Sequence, residues 1–184
     1  MRYSNKWLLA QIEEGRQPKY LFFWGHRPSK DGSITASCFS QWWEGSPFRE
    51  DGQIYPTAEH WMMAGKARLF GDADTLAHIL TAKTPAEAKE LGRAVKDFDP
   101  SLWETQKNEI VISGNYLKFS QHESLKMYLL STADRVIVEA SPVDAIWGTG
   151  MAADHPQIHH PANWRGENLL GYALMEVRDK LKEQ

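Results

Sequence analysis

The sequence predicts a mainly helical α+β fold in a single domain that spans residues 1–184. The chain has 184 residues and is 42% hydrophobic, which suits one domain with one core. An aromatic-rich segment with strand character, residues 20–54, precedes a series of segments with helical periodicity. We therefore expect a small, aromatic-rich β-meander that is packed by helices.

Composition and charge limit the class of protein. The formal net charge is −3 and the pI is about 6.2, so no overall positive field would draw the protein to nucleic acid or a membrane. The single cysteine, Cys38, excludes a disulfide framework. We find no signal-peptide pattern and no apolar run of membrane-spanning length, and we expect a cytoplasmic protein.

The amino-terminal third is predicted to contain one helix and several strands. Tyr3–Glu14 has helical periodicity and ends at a glycine. Tyr20–Trp24 is a dense aromatic strand, and Ile34–Phe39 is predicted to be the strand that returns beside it. A second turn is expected at Asp51-Gly52, because this dipeptide is typical of hairpin turns.

The rest of the chain is predicted to be mainly helical. The expected helices are residues 57–71, 72–82, 85–91, 100–119, 123–130 and 168–181. Val136–Val138 is predicted to be a short buried strand. Asp144–Trp164 is rich in Gly, Pro and His and is expected to be irregular, and Ala152–Asn163 within it is the segment we expect to cover a site.

The segment Tyr55–Ala67 organises the chain, and Thr57 is its candidate N-cap. The residues that share one face at helical spacing are Glu59, Met62, Met63, Lys66 and Phe70. A carboxylate and an ammonium on a mostly apolar face are costly unless they pair or take part in chemistry. A buried Glu59–Lys66 ion pair and a catalytic site both remain open.

A second acidic motif follows the predicted strand at Val136–Val138. Asp144 and Trp147 come directly before Gly148 and Gly150, which would let the backbone approach a ligand closely. Side chains at strand ends, on loops held by a rigid scaffold, are well placed to meet a ligand. The alternative is that Asp144 only caps a turn and Trp147 only fills the core.

Four further polar residues are candidates for holding an anionic group of a substrate. They are Arg93, Lys96, Arg165 and Asn168. The last of these lies at the start of the final helix, whose N-terminus can face an anion. For each basic side chain, a solvated surface position is the alternative interpretation.

The histidines His155, His159 and His160 have a spacing that suggests a metal site. Pro156 and Pro161 argue against the regular helix that would bring such a pair together. We therefore expect no metal site and no cofactor.

Several motifs occur in the order of one known family. They are YPTAEHWMMAGKA at residues 55–67, Leu91-Gly92-Arg93, Lys118-Phe119, and DAIWG at residues 144–148 with NLLG at residues 168–171. Taken together, they resemble the NADAR family, also called YbiA-like proteins, with a core at about residues 20–182. The resemblance implies an α+β, mainly helical fold. The segment Ala152–Asn163 is longer and richer in histidine than we expect for the family.

The resemblance also implies N-glycosidase activity. Members similar to this chain cleave the N-glycosidic bond of phosphoribosyl-pyrimidine intermediates of riboflavin synthesis, and other members release ADP-ribose from modified guanine in nucleic acid. A third hypothesis is a non-catalytic module that binds ADP-ribose or a nucleotide. The predicted partners are therefore small-molecule substrates, with nucleic acid only as an ADP-ribosylated substrate and no membrane.

The family's functional positions match Glu59, Trp103, Asp144 and Trp147, and Lys66 matches the lysine of the first motif. Cleavage of the bond builds positive charge on the sugar, which one carboxylate stabilises while another carboxyl group protonates the base or activates water. We expect Asp144 near the anomeric carbon and Glu59 as its acid–base partner, and the exchanged roles stay open.

Lys66 has three interpretations: it pairs with Glu59, binds phosphate, or attacks the anomeric carbon as an amine to give an imine. The last requires a pKa lowered by burial, and we favour the pair with Glu59. We expect Trp103 and Trp147 to stack on the base or sugar. Arg93 is expected to bind the phosphate bidentately, and Asn168 is predicted to bind substrate as well.

Overall fold

A computed structural model describes residues 1–183 and shows the predicted mainly helical α+β fold. The helices are α1 (Asn5–Glu13), α2 (Ala58–Leu69), α3 (Ala73–Thr81), α4 (Pro85–Arg93), α5 (Pro100–Ser120), α6 (Glu123–Ser131) and α7 (Leu169–Lys182). The strands are β1 (Tyr20–Phe23), β2 (Phe48–Glu50), β3 (Gln53–Tyr55) and β4 (Val136–Glu139). Each predicted helix is present close to its expected bounds. Within residues 1–183 no helix has the length and apolar character needed to cross a membrane, and the cytoplasmic location stays a prediction.

The strands form two separate pairs. β1 and β4 pair in parallel, with Tyr20 in register with Val136. β2 and β3 form an antiparallel hairpin, in which Asp51 and Gly52 have φ angles of +48° and +80°. Positive φ at both central residues is typical of the turn that matches the twist of paired strands. The turn predicted at Asp51-Gly52 is therefore confirmed.

The returning strand predicted at Ile34–Phe39 is wrong, and the strands do not form a continuous meander. Ala36–Phe39 forms a 3-10 helix, and β1 pairs instead with β4 from a distant part of the chain. The hydroxyl oxygens of Thr35 and Ser37 lie 2.8 Å apart in a hydrogen bond, and Cys38 N–H donates to Thr35 C=O. Such local bonds compete with strand pairing.

Contacts divide the chain into two compact units, and the predicted extent of one domain over residues 1–184 stays a prediction. The first unit comprises residues 1–40 and the chain from residue 123 onward. It contains α1, β1, α6, β4 and α7. Helix α7 packs on β4 with Leu170, Leu174 and Val177 almost fully buried, and this packing forms the core of the unit.

The second unit, residues 41–122, is built around α2. This helix packs against α3, α4 and α5. Two glycines allow the closest approaches, because a Cβ on Gly92 would lie 2.0 Å from Met63 Sδ and one on Gly114 would lie 2.2 Å from Trp61 Cδ1. Close packing therefore buries most apolar side chains of α2 together with the polar side chains of Glu59 and His60.

Candidate active site

The first turn of α2 is fixed by its cap. Thr57 is the N-cap, as predicted, and its Oγ1 accepts the backbone N–H of His60. His60 Nε2 lies 3.1 Å from Ala82 O, and since a carbonyl only accepts, this nitrogen donates. His60 Nδ1 therefore accepts the hydroxyl proton of Thr57 across 2.8 Å. Burial lowers the pKa of His60, so this histidine is neutral and serves to hold the turn.

Glu59 lies in this turn on the buried side of α2, with 4% of its surface exposed. Its backbone N–H donates to Gln41 O at 2.9 Å, and the side-chain oxygen of Gln41 accepts from Asn115 Nδ2 at 2.8 Å. The start of a helix favours a carboxylate, because unpaired N–H groups and the helix dipole carry positive charge there. The predicted acid–base residue is thus buried in the first turn of α2.

The favoured pair of Lys66 with Glu59 is wrong. Within residues 1–183, the Nζ of Lys66 donates to Gly92 O at 2.8 Å and lies 4.2 Å from the ring centroid of Phe98 and 5.8 Å from that of Trp103. The two side chains are two turns apart on α2, roughly 10 Å along the axis, and α4 supplies the closer acceptor. Burial lowers the pKa of Lys66, a shift in the direction of the uncharged amine.

Two other predicted site residues belong to the same part of the second unit. Trp103 lies in the first turns of α5, is partly exposed and faces the amine of Lys66. Arg93 is exposed and directly follows Gly92, whose carbonyl binds that amine. The structure therefore brings together Lys66, Trp103 and the chain segment that carries Arg93.

Phe98 lies beside the candidate site residue Lys66 and was not among the residues predicted from the sequence. It directly precedes Asp99, the N-cap of α5, and Trp103 is the fourth residue of that helix. Residues in these two positions often pack across a helix start as a hydrophobic staple. The pattern Phe-Asp-Pro-x-x-Trp was therefore the available signal that an aromatic side chain precedes α5 beside Trp103.

In the first unit, Asp144 begins a tight turn after β4. Its Oδ1 accepts the backbone N–H of Ile146 at 2.9 Å and that of Trp147 at 2.8 Å, so the capping interpretation describes one oxygen correctly. The other oxygen, Oδ2, is left for another partner. Val143 is 85% exposed and Ile146 is 49% exposed, and Trp147 is partly exposed. The turn that carries this carboxylate therefore has accessible apolar residues on both sides of it in the sequence.

The glycines of this loop serve close packing within the protein. A Cβ on Gly148 would lie 2.9 Å from Glu139 O, and one on Gly166 would lie 2.3 Å from Gly148 O. The protein's own backbone therefore fills the direction that a side chain at Gly148 would take, and a close approach of the Gly148 backbone to a ligand stays a prediction. Gly150 has a φ of +67°, which only glycine adopts readily. These contacts hold the Asp144 loop against the segment before α7.

Asn168, at the start of α7, is bonded both to strand β4 and to the Asp144 loop. It is fully buried, and its Oδ1 accepts the N–H of Glu139 at 2.9 Å while its Nδ2 donates to Ile137 O at 3.0 Å. Its backbone N–H donates to Gly148 O at 3.0 Å. These contacts give it a positioning role, and its role in substrate binding stays a prediction. The other candidate anion holders, Lys96 and Arg165, are exposed.

Replacing Asn168 by alanine is expected to lower the free energy of unfolding by about 2–4 kcal/mol. The change leaves the amide of Glu139 and the carbonyl of Ile137 unpaired, and alanine tolerates the φ of +54° at this position less well than asparagine does. Asn168→Gly should lose less, since glycine adopts this conformation freely. Urea unfolding measures both, with the exposed Asn163→Ala as the control within about 0.5 kcal/mol of the parent. Equal losses for Ala and Gly would show that backbone strain contributes nothing.

The histidine-rich loop packs on the aromatic side of β1. The ring of His159 lies edge-on, 5.1 Å from that of Phe22 and 6.0 Å from that of Tyr20. His155 Nδ1 accepts the backbone N–H of Gln157 at 3.1 Å. In the part of the chain described, no three His, Cys, Asp or Glu side chains are grouped so as to hold a metal ion.

Comparison with known proteins places these features in a family. A sequence model described as the NADAR domain matches residues 22–182. The N-glycosidase R617 of Acanthamoeba polyphaga mimivirus is 42% identical over 171 residues, which cover 88% of this chain and 96% of that protein. The N-glycosidase YbiA of Escherichia coli K12 is 33% identical over 145 residues, which cover 79% of each chain. These relatives are hydrolases that act on N-glycosyl compounds.

A solved structure shares the fold. The NMR structure of the Escherichia coli protein YbiA matches with a TM-score of 0.70 at 30% identity, over 91% of this chain and 88% of that one. The motifs around Glu59 and Asp144 lie inside the matched region of the family model. The match over most of the chain means that this chain belongs to the NADAR family.

Proposed function

We propose that this protein is an N-glycosidase that hydrolyses the N-glycosidic bond of phosphoribosyl-pyrimidine intermediates of riboflavin synthesis. The observation that carries the proposal is the carboxylate of Glu59, buried in the first turn of α2, in a chain whose relatives are named N-glycosidases. A carboxylate buried in the protein is costly to keep unless it is paired or takes part in chemistry, and a buried acidic side chain in an enzyme is therefore a candidate catalytic group.

The reaction requires two carboxyl groups in different roles. In our proposal, Asp144 Oδ2 takes a proton from water as the water oxygen attacks the anomeric carbon. The bond from that carbon to the base nitrogen breaks, and the nitrogen keeps the electron pair and takes a proton from Glu59. Both groups act on an oxocarbenium-like transition state, so loss of either group should lower kcat. The exchanged roles would give the same products.

The remaining predicted residues hold the substrate in this proposal. Trp103 and Trp147 are partly exposed, and their rings suit stacking on the flat base or the sugar. Arg93 is exposed and directly follows Gly92, whose carbonyl binds the amine of Lys66, and its guanidinium suits bidentate binding of a phosphate.

Lys66 supports a covalent variant of the same reaction. Its amine would attack the anomeric carbon as the base leaves with the electron pair of the broken bond and takes one of the two amine protons. The bond from the anomeric carbon to the ring oxygen would then break, and transfer of the second amine proton to that oxygen would leave an imine. Water would then hydrolyse the imine and restore the amine. The lowered pKa caused by burial favours the neutral amine that this attack needs.

Borohydride added during turnover is expected to trap the sugar on Lys66 if the covalent variant operates. Reduction converts the imine to a stable secondary amine, so peptide mass spectrometry should find the adduct at Lys66 and lose it in Lys66→Met. Lys89, whose Nζ lies 5.7 Å from the ring centroid of Trp42, is the control lysine in the same digest. Complete turnover without an adduct at Lys66 would leave direct attack by water as the mechanism.

The substrate is tested by offering purified protein phosphoribosylamino-pyrimidines and ADP-ribosylated guanine, and by measuring released base and sugar. Release of base from the pyrimidine substrate is the expected result. Release of ADP-ribose from guanine alone would assign the protein to the nucleic-acid substrate instead. Tight binding of ADP-ribose with no turnover of either substrate would identify a binding module and overturn the proposal.

A further inference from the structure

One aromatic ring beside Lys66 has no part in the proposed chemistry. The centroid of Phe98 lies 4.2 Å from Nζ, closer than the 5.8 Å of Trp103. Gly92 O binds the same nitrogen at 2.8 Å. The amine is therefore bounded by a carbonyl and by two rings.

The position of Phe98 is fixed by its neighbours. Its ring packs edge-to-face on Phe70, with centroids 5.2 Å apart and planes at 64°. The next residue, Asp99, caps α5 by accepting the N–H of Ser101 at 2.8 Å and that of Leu102 at 3.3 Å. Phe98 nevertheless remains 41% exposed, so part of its surface is accessible. An aromatic side chain at an exposed position is thus held against the partly buried amine of Lys66.

Several charged side chains of the surrounding elements are held by partners of their own. Lys107 pairs with Glu104 at 2.6 Å, Lys96 lies 3.6 Å from Asp74, and Asp99 caps α5. Arg93, at the end of α4, is the charged residue that adjoins Gly92. Burial, and not a neighbouring charge, is the cause that lowers the pKa of Lys66.

We propose that Phe98 is a positioning residue for Lys66, which excludes water from one side of Nζ while Gly92 O fixes the other side. The ring holds the amine in one place and keeps it poorly hydrated. The functional importance of this arrangement rests on the proposed attack by Lys66, whereas the arrangement itself can be tested without any substrate.

The ring has two opposite effects on the amine, and substitutions can separate them. Its π face attracts an ammonium, an effect of about 0.5–2 kcal/mol. Its bulk removes water, which disfavours the ammonium. Phe98→Ala removes both effects, and Phe98→Leu removes the π face but keeps most of the apolar cover. If water exclusion dominates, Phe98→Ala should therefore raise the pKa of Lys66 and Phe98→Leu should not.

The test is the pH dependence of labelling of Lys66 by an amine-selective acylating reagent, read by peptide mass spectrometry. The pH at which labelling of Lys66 is half-maximal should rise in Phe98→Ala, because water regains access to the ammonium. In Phe98→Leu it should stay at or below that of the parent. Leu102→Ala, another exposed apolar residue near the start of α5, should leave the midpoint unchanged, and Lys89 in each digest reports general changes in reactivity.

Two outcomes would overturn the inference: an unchanged midpoint in Phe98→Ala, or an equal upward movement in both Phe98 variants. In an assay with substrate, the loss of kcat in Phe98→Ala should recover as the pH rises, whereas a packing defect would not recover. If the parent protein turns over no substrate, the proposed function fails, but the labelling profile still tests Phe98.

Discussion

Asp144→Asn is expected to lower kcat for base release by about 10²–10⁴-fold, the usual contribution of a catalytic acid or base. The amide oxygen can still accept the N–H groups of Ile146 and Trp147, which bind Oδ1 at 2.9 and 2.8 Å in the parent. The turn should therefore persist while the charge at the other position is lost. Steady-state assay of released base measures the effect, and circular dichroism checks that the fold is retained.

The matched control is Asp31→Asn in the same unit. Asp31 Oδ1 accepts the N–H of Ser33 at 3.0 Å, two residues ahead, just as Asp144 Oδ1 accepts that of Ile146. The same substitution in the same kind of turn should leave turnover unchanged. Near-parental turnover in Asp144→Asn would show that this carboxylate only caps the loop.

Glu59→Gln is expected to reduce kcat by about 10²–10⁴-fold as well, with a much smaller change in KM. Glutamine has the shape of the protonated carboxyl group but cannot deliver or take a proton. The backbone contact of residue 59 with Gln41 O, 2.9 Å in the parent, does not involve the side chain and should remain. Single-turnover measurement of base release separates this loss in chemistry from an effect on binding or product release.

A glutamate in the first turn of another helix provides the control for Glu59. Glu87 lies at the start of α4, and its carboxylate accepts the N–H of Lys83 at 2.8 Å. Glu87→Gln should change stability slightly through the helix dipole and leave kcat unaltered. A fall in kcat that is equal in both variants would point to loss of helix stability instead of catalysis.

Local patterns predicted α2 well. Thr57 has the chemistry of an N-cap, and helical spacing placed Glu59 and Lys66 on one face, of which the structure buries Glu59 fully and Lys66 in part. The partner of Lys66 was predicted wrongly because spacing within one helix says nothing about acceptors on another helix. Gly92 O and the ring of Phe98 reach the amine only after α4 and the start of α5 have packed on α2.

The Asp144 motif was predicted only in part, because several of its contacts come from distant parts of the chain. A short apolar strand followed by Asp and two glycines indicated a functional loop, and Asp144 does start a turn there. The role of Gly148 depends on Glu139 O and Gly166, which pack around it in three dimensions. Asn168 looked like a ligand-binding residue at a helix start, whereas its amide is engaged by two backbone groups of β4.

The parallel pairing of β1 with β4 has a consequence for how the chain folds during synthesis. Tyr20 pairs with Val136, so β1 must wait until most of the chain has left the ribosome. Residues 41–122 are contiguous and form their own compact unit, and their local contacts can form earlier. Until β4 emerges, the sequence Tyr20–Phe23 is an apolar strand without a partner, which makes the nascent amino-terminal segment the part most exposed to aggregation.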